Sequence, residues 1–391
     1  MKALVCGAGI AGLTLAWHLE SAGWEVELVE RAPAFRDGGY MIDFYGPGFD
    51  VAEQMGLSAR LEAARYQVDE LSYVDRSGRR TSRLKLTSGL ERVVSLPRGD
   101  LARAVADEVR APITYGATVE SVEQDAEGVS LRLTDGTSRR VDLLAGADGT
   151  RSRVRELVFG DVAPRYLGHQ VAAYVVDDAE LSARLGTRYR MLTEPGLMAG
   201  AYALRGGRIA LLFLRREPDP ALPADPAAAL RRHYGHLGWI LPDVLSRCPD
   251  PPELYYDQVT QVEMDRWHAG RVVLVGDACQ AVSLFAGHGA SMAMAGAWVL
   301  ADELAAAGGD VPAAAARYHA RMAPAVVEVQ RFGRQTIQWV APSSRGRIFV
   351  RDLLLRLAAL PGGDRRLVNS LSPGGHELIA VSPRRASSAP R

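Results

Sequence analysis

Lys2 to Arg31, KALVCGAGIAGLTLAWHLESAGWEVELVER, decides the fold. Ala3 to Cys6 is a short apolar run suited to a buried parallel strand. Gly7, Gly9 and Gly12 follow with the spacing G-x-G-x-x-G. Leu13, Ala16, Trp17 and Leu19 then recur at helical spacing, and Gly23 closes the helix. Trp24 to Val29 rebuilds a strand, with Glu30 at its end, 18 residues after Gly12. Each glycine has its own physical task. Gly7 permits the tight turn, Gly9 lets a pyrophosphate approach the backbone, and Gly12 lets helix pack on strand. The helix N-terminus offers unpaired N–H groups and partial positive charge to phosphates. Glu30 can accept hydrogen bonds from a ribose diol. A bare G-x-G-x-x-G is a weak signal, but the whole strand–turn–helix–strand–acid unit predicts an adenine dinucleotide. It does not separate NAD from FAD.

The bulk numbers bound the rest. A chain of 391 residues suits two interleaved domains with an appendage, and 48% hydrophobic residues suffice for a large core. Net charge is zero, so nothing argues for a nucleic-acid partner or an anionic membrane. Cys6, Cys248 and Cys279 are scattered without metal or redox spacing, which points to a reducing cytoplasm. Glu20, Glu25 and Glu27 argue against a signal peptide at the apolar N-terminus. No uncharged apolar run is long enough to cross a bilayer.

Taken in order, Gly38 to Phe44 reads as a strand and Phe49 to Met55 as a helix stopped by Gly56. A second short helix is predicted over Ser58 to Ala64. Leu71–Val74, Arg83–Leu86 and Arg92–Leu96 read as strands. Leu101 to Val109 is helical, with Asp100 as its expected N-cap. Val119–Glu123, Val129–Leu133 and Val141–Ala145 are read as a three-stranded meander with a turn at Asp135-Gly136. Tyr166 to Met264 is mostly strands, interrupted by a helical insert over Pro223 to His236. Arg271 to Val275 is a buried strand, and long helices follow over 287–307, 311–340 and 347–359.

Three separated motifs line up along this chain. The first ends in Glu30-Arg31. The second is Ala147-Asp148-Gly149 with Arg151, Ser152 and Arg155. The third is Arg271 to Ala278 followed by Phe285-Ala286-Gly287-His288-Gly289-Ala290. Their order resembles the single-component, para-hydroxybenzoate hydroxylase-like (group A) flavin monooxygenases. The stretch from Gly39 to Leu57 is similar to the branch containing tetracycline-inactivating monooxygenases. The resemblance implies an α/β fold: a Rossmann-type FAD-binding domain interleaved with a mostly antiparallel substrate sheet and followed by C-terminal helices. The expected FAD-binding parts are 1–68, 97–165 and 265–310. The substrate domain would comprise 69–96 and 166–264, with C-terminal helices over 311–372 and a disordered tail over 373–391.

The resemblance also implies site residues. FAD would extend along Gly7, Gly9, Ala11 and Gly12, with Glu30 on the adenosine ribose and Arg31 beside the adenine. Arg98 would reach the pyrophosphate and ribityl region, and the Val119 backbone would touch adenine. Asp277 would bind the ribityl or pyrophosphate end, and Asp148 belongs to a motif associated with both FAD and NAD(P)H. Gly287, Gly289 and Ala290 would face the flavin pyrimidine at a helix N-terminus. Phe285 and His288 are the candidate pocket residues, a solvent-facing loop histidine being the other reading of His288. Where the family usually has histidine and proline, this chain has Gln280 and Leu284, which puts loop rigidity in question. No general base and no metal set are readable; His233 and His236 read as a solvated helix face.

The implied reaction is oxygenation of a planar aromatic or antibiotic-like small molecule. FAD is the cofactor, NADPH or NADH the co-substrate and O₂ the oxidant, acting through a flavin C4a-(hydro)peroxide. With no second dinucleotide unit, NAD(P)H is expected to bind transiently on the FAD domain or in the shared cleft. Hydroxylation and Baeyer–Villiger insertion stay open, as does monomer or homodimer. A flavin-dependent halogenase or reductase on the same scaffold is an alternative, although Gly238-Trp239-Ile240-Leu241-Pro242 does not match the halogenase Trp-x-Trp-x-Ile-Pro. A non-catalytic flavin or ligand sensor is the third reading.

Overall fold

The structure is a computed structural model and describes residues 1–36, 41–86 and 93–358. Its first sheet has six strands. In spatial order they are His268–Ala269, Val272–Leu274, Leu143–Gly146, Lys2–Cys6, Glu25–Glu30 and Ile113–Tyr115. The inner pairings are parallel, and only the His268 edge is antiparallel. The central strands are continuous apolar runs because both of their faces are covered. Leu4, Val5, Leu143, Leu144, Val272 and Val273 all have 0% exposure. Helix Ile10–Ser21 packs against helix Gly289–Ala306, whose alanines and glycines let neighbouring backbones come close.

A three-stranded meander shares this core, but its third strand is not the one expected from the sequence. Ser138–Val141 completes the meander, whereas Leu143–Gly146 leaves it to join the parallel sheet. The break falls at Asp142, a charged residue between Val141 and Leu143 whose carboxylate accepts from Lys2 N–H at 2.7 Å.

The second sheet has seven strands, in the order Tyr255–Gln261, Arg165–Asp177, Arg208–Arg216, Leu197–Ala203, Arg188–Glu194, Glu70–Val74 and Arg80–Lys85. All neighbours are antiparallel except Glu70–Val74 with Arg188–Glu194. Period-two alternation gives each face its own core. Ile209, Leu211 and Phe213 point toward helices Ala179–Leu185, Pro226–Tyr234 and Leu241–Ser246. Leu212 and Leu214, with Tyr73, Tyr189, Met191 and Met198, form the other face, packed with Leu284 and Phe285.

Some expected bounds shift. Residues 37–40, which include the first three residues of the strand expected over Gly38 to Phe44, lie outside the described residues, and its observed part is Met41–Phe44. Arg92 is likewise outside, and the strand there is Val94–Pro97. Asp100 is not an N-cap: helix Arg98–Ala106 starts earlier, after Pro97, because the extended backbone before the helix ends there. The helical insert is Pro226–Tyr234, capped by Asp225, so His236 lies beyond it. The tail from Pro373 lies outside the described residues.

Candidate active site

The three motifs meet at the carboxyl edge of the parallel sheet, where open α/β sheets bind ligands. A side chain at Gly7, which has φ of 109°, would lie 2.4 Å from the Ala147 carbonyl oxygen, so the first motif rests directly on the second. A side chain at Gly276 would lie 2.6 Å from Ala11 Cβ, so the third rests on the first. Arg155 joins the second and third: its Nη1 donates to the Ala278 carbonyl at 2.8 Å and its Nη2 to the Thr150 carbonyl at 2.7 Å. It is 4% exposed.

The glycines of the first motif divide their labour as their spacing suggests. At Gly12 an added Cβ would stand 1.9 Å from the Gly7 carbonyl oxygen, so helix packing forbids one. At Gly9 it would meet nothing within 4 Å, and the same is true at Gly289. These two backbones are open to something else. Glu30 sits at the end of its strand with Oε2 accepting from Ala8 N–H at 3.0 Å and Oε1 from Ala32 N–H at 2.8 Å. Each oxygen keeps a further acceptor site. Arg31 is exposed, and Val119 is fully buried beside Ala117, whose N–H reaches the Glu30 carbonyl at 3.2 Å.

Asp277 opens a four-residue helix behind Gly276. Its side chain is exposed to solvent yet ringed by protein, as on the floor of a groove. Loss of hydration raises its carboxyl above the usual range, and the charge of half-buried Arg98 pulls it back. Asp148 differs. Its carboxylate accepts from the Ser152 hydroxyl and from the N–H groups of Arg153 and Val154, at 2.7 and 3.1 Å. Burial raises its pKa, and those bonds oppose the rise.

The loop after the third motif is clamped from behind. Gln261 Nε2 donates to the carbonyls of Val282 and Gln330 at 2.9 and 2.8 Å, and Gln330 Nε2 to those of Val262 and Ala281 at 2.8 and 3.1 Å. Ser283 takes φ of 75°, a strained value for a non-glycine residue. Gln280 is 2% exposed and holds the first turn of helix Gly289–Ala306 through Nε2 to the Met292 carbonyl at 3.0 Å. The residue that put loop rigidity in question is thus itself a tether. Phe285 is half-buried against the face of the second sheet that carries Met191, Met198 and Leu214. His288 is neither solvent-facing nor open to a pocket: at 2% exposure it is wedged edge-on against Tyr45 and Phe332, with centroids at 4.6 and 6.3 Å. That burial comes from residues distant in sequence.

Asp43 and Tyr45 were not singled out by sequence. They sit two apart on the strand Met41–Phe44 and its exit, sharing one side of it. Asp43 is exposed but ringed by protein, accepts from the Ser95 hydroxyl at 2.5 Å, and is raised by its loss of hydration. Burial raises Tyr45, Tyr189 and Tyr202, and the Asp43 charge adds to the rise. Tyr202 ties this strand to the second sheet, its hydroxyl accepting from Met41 N–H at 3.0 Å. The only signal available in sequence was an acid in a Gly-rich strand, which is not distinctive. Among the described residues no set of His, Cys, Asp or Glu is arranged to hold a metal, and no helix is long and apolar enough to cross a membrane.

Comparison with known proteins agrees with this geometry. The family model described as "FAD binding domain" matches residues 1–169 and 255–332. An uncharacterized protein of Mycobacterium tuberculosis is 36% identical over 81% of this chain and 88% of its own length. A flavin-dependent monooxygenase from an unknown prokaryotic organism is 32% identical over 88% of this chain and 90% of its own. The crystal structure of the tetracycline destructase Tet(55) superposes with a TM-score of 0.82 at 29% identity, covering 97% of this chain and 98% of that one. With three strand-end motifs folded onto one another and open backbone at Gly9 and Gly289, the chain belongs to the FAD binding domain family, as an FAD-dependent monooxygenase of the group A aromatic hydroxylase type near the tetracycline-inactivating branch.

Proposed function

We propose that the chain consumes NAD(P)H and O₂ to place one oxygen atom on a planar, electron-rich polycyclic small molecule. The observation that carries this reading is the pair of open backbones, Gly9 and Gly289, at the starts of two helices that pack on one another, with Gly276, the residue before exposed Asp277, set against Ala11 and Ala293 of those helices. A side chain at either would fill the cradle that a pyrophosphate or a flat ring requires. The donor set also fits FAD. Helix Ile10–Ser21 presents its N-terminus to the phosphates, and Glu30 offers two acceptor sites to the ribose. Arg31 would flank the adenine end, and Arg98 and Asp277 would serve the pyrophosphate-to-ribityl stretch. Gly287, Gly289 and Ala290 would offer backbone N–H groups to the pyrimidine, and Asp43 would be an added acceptor.

When bound, FAD supplies both hydride acceptance and oxygen activation. The chain's own residues do the rest. The first-turn N–H groups of helix Gly289–Ala306 and its dipole stabilise negative charge at the ring by about 0.3–2 kcal/mol. Leu212, Met191 and Phe285 form a dry wall that orients the substrate. Asp148 supports the site through the helix it caps. The similarity to a tetracycline destructase supports a polycyclic, oxygen-bearing substrate. The test is direct. Yellow protein is mixed with NADPH or NADH, candidate polycyclic phenols and ¹⁸O₂. Ligand-stimulated NAD(P)H oxidation with one ¹⁸O in the product is expected; a flavin that stays oxidised with every ligand returns the chain to the sensor reading.

A further inference from the structure

The Tyr45 hydroxyl lies 3.1 Å from His288 Nδ1, and the same nitrogen lies 2.5 Å from the Ala286 carbonyl oxygen. A carbonyl only accepts, so Nδ1 must carry hydrogen and give it to Ala286. That nitrogen then has no lone pair to receive the Tyr45 proton. Tyr45 can accept a share of the Nδ1 hydrogen, but its own proton is directed elsewhere. Among the described residues no other side chain or carbonyl bonds to that hydroxyl. The hydroxyl is also well placed. It stands 3.4 Å from the position a Cβ would take on Gly287, at the turn that leads to the open backbone of Gly289. Tyr45 keeps partial exposure while His288 has almost none, so the tyrosine is the member of the pair that faces the groove. Burial and the Asp43 charge raise its pKa, which keeps it a donor at any working pH.

We propose that Tyr45 donates a hydrogen bond to an acceptor atom of the isoalloxazine ring, and that His288 is a positioning residue whose bond to Ala286 turns the Tyr45 proton outward. The inference rests on the proposed function, since it needs FAD in the groove. It also explains why a histidine is buried between two glycines: Gly287, with φ of 69°, and Gly289 let the loop close around it, and Ala286 fixes its tautomer.

Holoenzyme reconstituted with FAD provides the test. Sulfite adds to the oxidised ring, and its affinity reports how well the protein stabilises negative charge there. Tyr45→Phe lowers sulfite affinity about tenfold, the size of one hydrogen bond, and shifts the visible flavin band. His288→Ala lowers it by less, and adds nothing in the Tyr45→Phe background, because the two act as a unit. Sulfite affinity within twofold of wild type in Tyr45→Phe, with an unchanged spectrum, overturns the proposal; so do additive effects of the two substitutions. Should Tyr45→Phe fail to retain FAD, Tyr45→His, which keeps a ring donor, recovers both retention and sulfite affinity; its failure to do so also overturns the proposal. Wild-type protein that takes up no FAD defeats the functional reading itself, which separates the two outcomes.

Discussion

Asp148 and Asp277 follow neighbouring strands of one sheet, each shortly past a glycine, Asp148 five residues before a short helix and Asp277 as the first residue of one. They are used in opposite ways. Asp148 gives its carboxylate to Ser152, Arg153 and Val154, so it is consumed by the helix that follows. Asp277 bonds to nothing among the described residues and faces the groove with Arg98. The strand-end position offers an acid to the ligand side, and the next few residues decide whether a ligand receives it. Ser152, which caps its helix by accepting from Arg155 N–H, folds the chain back within reach of Asp148. Nothing after Asp277 does so.

The largest expected effect comes from Asp148→Ala. It strands two helix N–H groups and a serine hydroxyl and should lower unfolding free energy by about 2 kcal/mol, read from the urea midpoint. Asp277→Asn should invert the pattern: stability within about 0.5 kcal/mol of wild type, but FAD held about tenfold more weakly, measured by flavin fluorescence on titration. If Asp277→Asn unfolds the protein while Asp148→Ala merely releases FAD, the contrast is wrong. The smallest effect is in pH. Burial raises the folded-state carboxyl of Asp277, so its protonated form is favoured by folding. Its contribution to apoprotein stability is complete below the ordinary aspartate value of about 3.9 and is lost as pH rises through the raised value. Asp277→Asn should flatten that part of the stability–pH curve, and an unchanged slope would remove Asp277 as its source.

The first motif was legible because each of its parts is local: turn, helix and acid follow within thirty residues. The differing jobs of Gly9 and Gly12 were readable for the same reason. The two aspartates looked alike in sequence, since Asp148 is distinguished only by a cap that forms in three dimensions. His288 was misjudged because its burial depends on Tyr45 and Phe332, from opposite ends of the chain. The meander's third strand was misplaced because a lone charged residue, Asp142, is compatible with one strand running through it, and only the pairing with Val129–Arg132 on one side and Ala3–Cys6 on the other shows that the chain changes sheet there. The parallel pairing of Glu70–Val74 with Arg188–Glu194 joins segments over a hundred residues apart, with no local pattern to announce it.

The strand order of the parallel sheet has a consequence for biogenesis. Lys2–Cys6 is synthesised first, yet its neighbour Leu143–Gly146 comes much later, and Val272–Leu274 later still. At roughly 5–20 residues per second, the earliest strand waits on the order of 15–50 s for the outer one to leave the ribosome. Throughout that interval Leu4 and Val5 lack part of their eventual cover. Expression yield should therefore respond to chaperone supply and to slower growth temperature, and N-terminal fragments ending before Arg271 should aggregate.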